Sequence, residues 1–452
     1  MNIVVIGAGP AGEAAAKYSA KQKANVTLIE KDFMGGVCLN WGCIPSKTLL
    51  SFGKKIHDLK RFYCLKPGLE MSDATLRRRA WAEMKAEKDR VVKTLRDDVE
   101  KTVKLHGIKI LRGEAKFISE KEVEIKIPSG REKVSFDKAI LAVGSIPVFP
   151  PPLDARKKEI LDSDGVFDIE DVPESLLIVG GGAVGCEFAC LFHELGCKVA
   201  VVEKTGNLIP GEDAQIVNAL RKSFEARGIQ VLDSTTVQDL KKAKNQWQVK
   251  LSNGLEIQVR EILACVGRRA RTGALDLEKA NVRTSKKGIE VDGQLRTTNP
   301  DIFAAGDATG LSLLAHAGTV QGEIAAANAL GENKTYDGSF VPRCLYTWPE
   351  VASVGMWIAQ AQEQHIETKS QRFFFSASGR ALAEGDSEGF IQIVSDKDME
   401  QILGAQIIGP HATELIHVIS VALKNQMTRS ELKEVIFAHP TFSEGFKAAL
   451  NR

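Results

Sequence analysis

No uncharged run in this chain reaches the ~18 apolar residues of a membrane-spanning helix, so no such helix is expected. A dominant charge is missing too: Lys+Arg 60 against Asp+Glu 58 leaves a formal net charge of +2. That balance argues against a nucleic-acid protein and against a polybasic membrane surface. Cysteine is thinly spread, at 38, 43, 64, 186, 190, 197, 265 and 344, rather than packed as in a small secreted scaffold. A reducing, cytoplasmic setting fits that usage. No basic segment with a cleavage site precedes the strand pattern that begins at Asn2. What remains is 452 residues, enough for roughly two to four domains with full cores.

The apolar run Asn2 to Ile6 fits a buried parallel strand. Gly7-Ala8-Gly9-Pro10-Ala11-Gly12 follows, then a helical stretch to Ala20 and a second strand, Val26 to Ile29, that ends on Glu30. This is G-x-G-x-x-G in the strand–turn–helix setting that gives it meaning. Gly7, Gly9 and Gly12 permit a tight turn and the close approach of a pyrophosphate to the helix N-terminus, and Glu30 accepts from a ribose hydroxyl. The whole pattern then recurs: strand Leu176 to Val179, turn Gly180-Gly181-Gly182-Ala183-Val184-Gly185, helix Cys186 to Leu195, strand Lys198 to Val202, acid Glu203. The acid stands equally far from the third glycine in both copies. Such a duplication predicts two bound dinucleotides. Glu203 favours a free 2′-hydroxyl, hence NAD over NADP. Between the copies, Gly144-Ser145-Ile146-Pro147 and Pro150-Pro151-Pro152 read as a linker.

Directly after the first acid, Gly35-Gly36-Val37-Cys38-Leu39-Asn40-Trp41-Gly42-Cys43-Ile44-Pro45-Ser46-Lys47 sets two cysteines five positions apart. A disulfide needs Cα atoms roughly 4.4–6.8 Å apart, whereas five helical steps rise about 7.5 Å. A bond between Cys38 and Cys43 therefore requires a break in any helix, and Gly42 allows one. Ile44 to Ile56 reads helical, so Cys43 sits near a helix start, which favours the thiolate. Two reduced core cysteines or two metal ligands fit the spacing as well, although metal sites usually show closer cysteines and a second ligand pair. With a dithiol beside the first unit, FAD is assigned to that unit and a nicotinamide cofactor to the second.

Farther on, Ala80 to His106 has the period of one long charged helix, and 108–127 reads as strands around Gly113-Glu114-Ala115. Asn299 to Asp307 reads as a strand ending in Gly306-Asp307, where Asp307 either meets a cofactor or caps the helix beginning near Ala315. From Val341 the composition turns to antiparallel strands and an amphipathic helix, Ala412 to Asn425. His439-Pro440-Thr441-Phe442-Ser443-Glu444 precedes the last helix. Thr441 and Glu444 match a capping box. A histidine beside a carboxylate can equally move protons near neutral pH. Glu444 is expected to combine those roles only in part, since it cannot point fully both ways.

The Cys-Leu-Asn-x-Gly-Cys-Ile-Pro-Ser-Lys segment resembles the active-site motif of the FAD-dependent pyridine nucleotide-disulfide oxidoreductases, most of all their dihydrolipoamide-oxidising branch. The resemblance extends over residues 1–450. It implies an α/β fold of two Rossmann-like dinucleotide-binding domains and a C-terminal α+β dimerisation domain: an FAD-binding domain at 1–145, an NAD-binding domain at 146–267, a segment at 268–335 completing the FAD domain, and an interface domain at 336–452. It implies a redox disulfide of Cys38 and Cys43, and an acid–base dyad of His439 and Glu444 that serves the other subunit of a homodimer. Lys47 would pair with Glu187 under the flavin. Ala115, Gly144, Asp307, Leu314, Ala315 and His316 would join the first glycine motif around FAD, with His316 more structural than catalytic. Val237 and Gly267 would join Gly180, Gly182, Gly185 and Glu203 around NAD. Dithiol electrons would pass to FAD and on to NAD⁺, with a lipoyl carrier as a separate chain. The motifs depart from the family at Trp41, at Ala317, and after Gly267, where Arg268 and Arg269 are given no role beyond surface contacts near the nicotinamide. Relatives with an extra C-terminal cysteine pair, transhydrogenases without the redox pair, and glutathione reductases with NADP-binding arginines fit less well. So does a flavin-binding scaffold without catalysis.

Overall fold

A computed structural model describes residues 1–60, 71 and 73–451; Cys64 lies outside them. The two glycine motifs open two five-stranded parallel sheets. In the first, the strand order is 302–304, 138–141, 2–6, 25–30, 109–112. In the second it is 230–232, 198–202, 175–179, 261–264, 161–162. Both central strands are apolar and buried, Ile3 to Ile6 and Leu176 to Val179, as sheets covered on both faces require. The registers match as well: Asn2 faces Asn25 in the first copy and Ser175 faces Lys198 in the second.

The chain passes between the two sheets twice, and the crossings pair antiparallel, Ser145–Pro147 with Arg268–Ala270. The strand Ile302–Ala304 then returns to the edge of the first sheet. The helix Ala315–Ala329 packs on Pro10–Lys21 so closely that a Cβ on Gly322 would stand 2.1 Å from the Ala11 carbonyl oxygen. A third five-stranded sheet is antiparallel, in the order 343–345, 350–355, 402–409, 390–396, 368–374, covered by the helices Ala412–Lys424 and Glu444–Leu450, and two three-stranded antiparallel sheets span 114–135 and 237–259. The long helix starts earlier than its period suggested, at Ala74, because the Asp73 side chain caps it by accepting from Leu76 N at 2.8 Å. Among the described residues, no helix is long and apolar enough to cross a membrane.

Candidate active site

The two glycine turns fold alike. Gly7 has φ +102, and a Cβ there would stand 2.2 Å from the Ala142 carbonyl oxygen; Gly180 has φ +109 and would meet Cys265 O at 2.3 Å. Only glycine accommodates both conditions. The third glycines, Gly12 and Gly185, press on the carbonyls of the first, at 1.8 and 2.0 Å for a built Cβ. The middle glycines behave differently. A Cβ on Gly9 would have nothing nearer than 3.8 Å, and one on Gly182 nothing within 4 Å. Those positions open onto space at a helix start, the cradle a pyrophosphate needs. The acids are buried and already engaged. Glu30 accepts from Ala8 N at 2.7 Å and Asp32 N at 2.8 Å; Glu203 accepts from Gly181 N at 2.7 Å and Thr205 N at 2.8 Å. Each thus clamps its own turn, a task that motif spacing alone does not reveal.

One cleft joins the first turn to the cysteines. Gly7, Gly9, Glu30, Ala115, Gly144, Asp307, Leu314 and Ala315 line it, together with Cys38, Trp41, Cys43, Lys47 and Glu187. A cleft that runs from a dinucleotide turn to a dithiol suits FAD. Asp307 lies on its wall and not at a helix cap, since the helix Ala315–Ala329 follows Leu314 without any side-chain cap. Burial pushes the Asp307 carboxyl above its usual range, and Ser145 Oγ, 2.5 Å from Oδ2, opposes that shift. His316 does not line this cleft: its ring is exposed and Nε2 faces the Pro342 carbonyl at 2.9 Å. Gly180, Gly182, Gly185, Glu203, Val237 and Gly267 also lie apart from it, on the second unit. Arg268 overturns the expectation of a mere surface contact. Its side chain is only 18% exposed, it lines the cleft, and it bonds Ser145 and Asp164. Arg269, its neighbour, is exposed, because alternate residues of a strand face opposite ways.

The segment between the sulfurs breaks at Gly42, between the helices Gly36–Trp41 and Cys43–Leu59. The turn is tight there: a Cβ on Gly42 would stand 2.8 Å from Val37 O. Both cysteines are thiols and lie side by side. The Cys38 S–H hydrogen-bonds Cys43, and with the nearby Lys47 ammonium it holds the Cys43 thiol down at about 7 despite burial. The same bond, with burial, pushes Cys38 up. The pair is therefore polarised, with Cys43 as the thiolate. Lys47 does not reach for solvent; its Nζ meets Glu187 Oε2 at 2.9 Å and Oε1 at 3.0 Å. Tyr346, which sequence reasoning passed over, completes this corner. Its N–H donates to Glu187 Oε1 at 3.0 Å, and its ring lies 4.7 Å from Lys47 Nζ.

At the far end, His439 Nδ1 stands 2.9 Å from Glu444 Oε1, while Thr441 N donates to Glu444 Oε2 at 2.9 Å. A carboxylate has two oxygens, so Glu444 serves the histidine and the backbone together, against the expectation of partial competition. The capping box itself is half formed: Glu444 reaches back to Thr441 N, but no helix N–H donates to Thr441 Oγ1, which itself donates to Ala438 O at 2.7 Å. The His439 side chain is 80% exposed, and its Nδ1 is the ring atom engaged by Glu444.

Comparison with known proteins places these features. Residues 1–325 match the family model of the pyridine nucleotide-disulphide oxidoreductases, and residues 341–450 match that family's dimerisation domain. A dihydrolipoyl dehydrogenase of Bacillus subtilis is 37% identical over 451 residues, covering 100% of this chain and 98% of the relative. One of Chlamydia pneumoniae is 37% identical over 444 residues, 98% of this chain and 94% of its own. Among solved structures, LpdA of Mycobacterium tuberculosis superposes with a TM-score of 0.91 at 26% identity, covering 100% of this chain and 99% of that one. The HOCl-induced flavoprotein disulfide reductase RclA of Escherichia coli superposes with a TM-score of 0.87 at 27% identity, over 100% and 99%. With a dithiol at the end of a dinucleotide cleft and a second dinucleotide turn behind it, the chain belongs to the pyridine nucleotide-disulfide oxidoreductases, flavoenzymes that use FAD and a nicotinamide cofactor.

Proposed function

We propose that the protein oxidises the dithiol of a lipoyl group, carried on a separate protein, and reduces NAD⁺. The observation that carries this reading is the Cys38–Cys43 pair beside Lys47 and Glu187 in the FAD cleft. Gly7, Gly9, Gly12, Glu30 and Asp307 hold FAD, and Gly180, Gly182, Gly185 and Glu203 hold NAD. The FAD-binding domain is then 1–145 completed by 268–335, the NAD-binding domain 146–267 and the interface domain 336–452. Pairing of 145–147 with 268–270, and return of Ile302–Ala304 to the first sheet, support those limits.

The working unit in this reading is a cytoplasmic homodimer. His439 is aimed away from its own fold, and Val435 and Ile436, just ahead of it, are 39% and 92% exposed. His439 of the partner subunit takes a proton from one substrate thiol, with Glu444 fixing its tautomer through Nδ1. The substrate thiolate attacks Cys38 Sγ of the oxidised pair, and Cys43 leaves as the thiolate that the Cys38 and Lys47 contacts stabilise. The second substrate sulfur then closes the substrate disulfide and releases Cys38; the histidine gives its proton to Cys38 and takes the second thiol's proton in its place. FAD, held at the first glycine turn and Asp307, would supply the acceptor for the electron pair now held on the dithiol, and a nicotinamide held at the second turn would supply the final acceptor. The test is a panel of dihydrolipoamide, glutathione disulfide and dithiol-free controls, each with both nicotinamides. Fast NAD⁺ reduction by dihydrolipoamide alone is expected; turnover of glutathione disulfide with NADPH would replace the lipoyl reading.

A further inference from the structure

One polar chain in the cleft has its direction imposed from one end. Arg268 Nε donates to Ser145 Oγ at 2.9 Å, and Nη2 to the Ser145 carbonyl at 3.0 Å. Its Nη1 donates to Ser163 Oγ at 3.0 Å and Asp164 Oδ1 at 2.6 Å. Ser145, 2% exposed, places the same Oγ 2.5 Å from Asp307 Oδ2. A guanidinium has donors and no acceptor, while a hydroxyl has one hydrogen. The Ser145 oxygen therefore accepts from Arg268, and its hydrogen is left for Asp307. We propose that Arg268 is a positioning residue of the FAD site: by donating to one lone pair of Ser145 it turns that hydroxyl's hydrogen toward Asp307, and so favours Asp307 as an ionised acceptor for the flavin chain. The proposal rests on the reading of Asp307 as an FAD ligand.

The electrostatics agree with the geometry. Burial raises the Asp307 carboxyl, and the Ser145 hydrogen bond and the Arg268 charge both oppose it. The return crossing presents Arg268 and Arg269 near Asp307, and the helix Ala315–Ala329 carries His316 and Glu323; of these, Arg269, His316 and Glu323 are exposed, and Arg268 is the charge that reaches the carboxyl. The anchor of the relay also matters. Asp164 follows the edge strand Leu161–Asp162 of the second sheet, so the FAD wall is held from the other dinucleotide unit.

The experiment measures FAD affinity of the holoprotein against pH, by fluorescence of released FAD, in the unmodified protein and in S145A, R268M, R268K and D307N. S145A and R268M should hold FAD about tenfold more weakly at neutral pH, the scale of a hydrogen bond to a charged group. Their loss of FAD on acidification should begin at higher pH, since a carboxylate deprived of its donor protonates sooner. R268K, whose ammonium is also donor-only, should restore part of the profile, and D307N should bind weakly without an acid limb. S145A and R268M with unmodified affinity and an unmoved acid limb would overturn the relay. So would weakened R268M with an unchanged pH profile, which marks a merely structural role. If R268M does not fold, S145A decides alone. An unmodified protein that takes up no FAD would instead overturn the cofactor reading, and the relay with it.

Discussion

At the scale of single residues, the site works by pairing groups that change each other's acidity. Cys43 is held at about 7 because Cys38 donates to it and Lys47 stands near, so the thiolate of the reduced pair should form well below the ordinary thiol range. Thiolate absorbance of the reduced protein should titrate with a midpoint near pH 7 and vanish in C43S. Replacing the donor (C38A) or the cation (K47M) should move that midpoint up; a midpoint unmoved by either change would remove the stated cause. Much of this was legible from the motif, because the sulfurs and Lys47 are close in sequence. Arg268 was not. Which way a side chain on a crossing strand points depends on the strand it pairs with, and Ser145–Pro147 lies more than a hundred positions away.

Among the elements, the helix Cys43–Leu59 carries the chemistry and is fixed to the second unit's helix Ala183–Glu194 at two levels. Lys47 meets Glu187 near one end. Near the other, His57 Nδ1 and Lys60 Nζ meet Glu194 at 2.8 and 2.9 Å. Burial works against the Glu194 charge, yet His57 and Lys60 hold its carboxyl down at about 2. Gly53 lets the helices approach, since a Cβ there would stand 2.9 Å from the Trp348 ring and 3.2 Å from Leu191. The glycine turns allow a sharper separation of fold from function. A methyl on Gly182 meets no protein atom within 4 Å, whereas one on Gly185 collides with Gly180 O. G182A should therefore melt like the unmodified protein while raising the KM for NAD⁺ roughly tenfold or more, if the proposed NAD site is right and that space takes the pyrophosphate. G185A should lose stability outright. Equal melting losses in both would show that Gly182 also serves the fold. Element identity was readable from period and motif, but ends were less so. Asp73 extends the long helix backward because one side-chain oxygen satisfies a free N–H, a local detail that hydrophobic period does not register.

For the whole molecule, the decisive arrangement is that the sulfurs line the cleft while His439 of the same chain is exposed and does not line it. If the site is shared across a two-fold interface, each catalytic centre takes its cysteines from one subunit and its histidine from the other. C43S and H439Q are then each inactive, but a mixed dimer contains one centre with both parts intact. Refolding the two variants together should restore dithiol-driven NAD⁺ reduction that neither shows alone; no restoration in a verified mixed dimer would confine the site to a single chain.

The sequence by itself determined the two dinucleotide turns, their acids, the paired sulfurs and the His439–Glu444 pair, because each is a local pattern whose spacing carries its own geometry. Tertiary structure alone decided that Arg268 turns inward to Ser145 and that Tyr346 joins Lys47 and Glu187, a pair that the family resemblance already implies. Those contacts join segments far apart in the chain, and their directions follow from how sheets and helices pack rather than from any run of neighbouring residues.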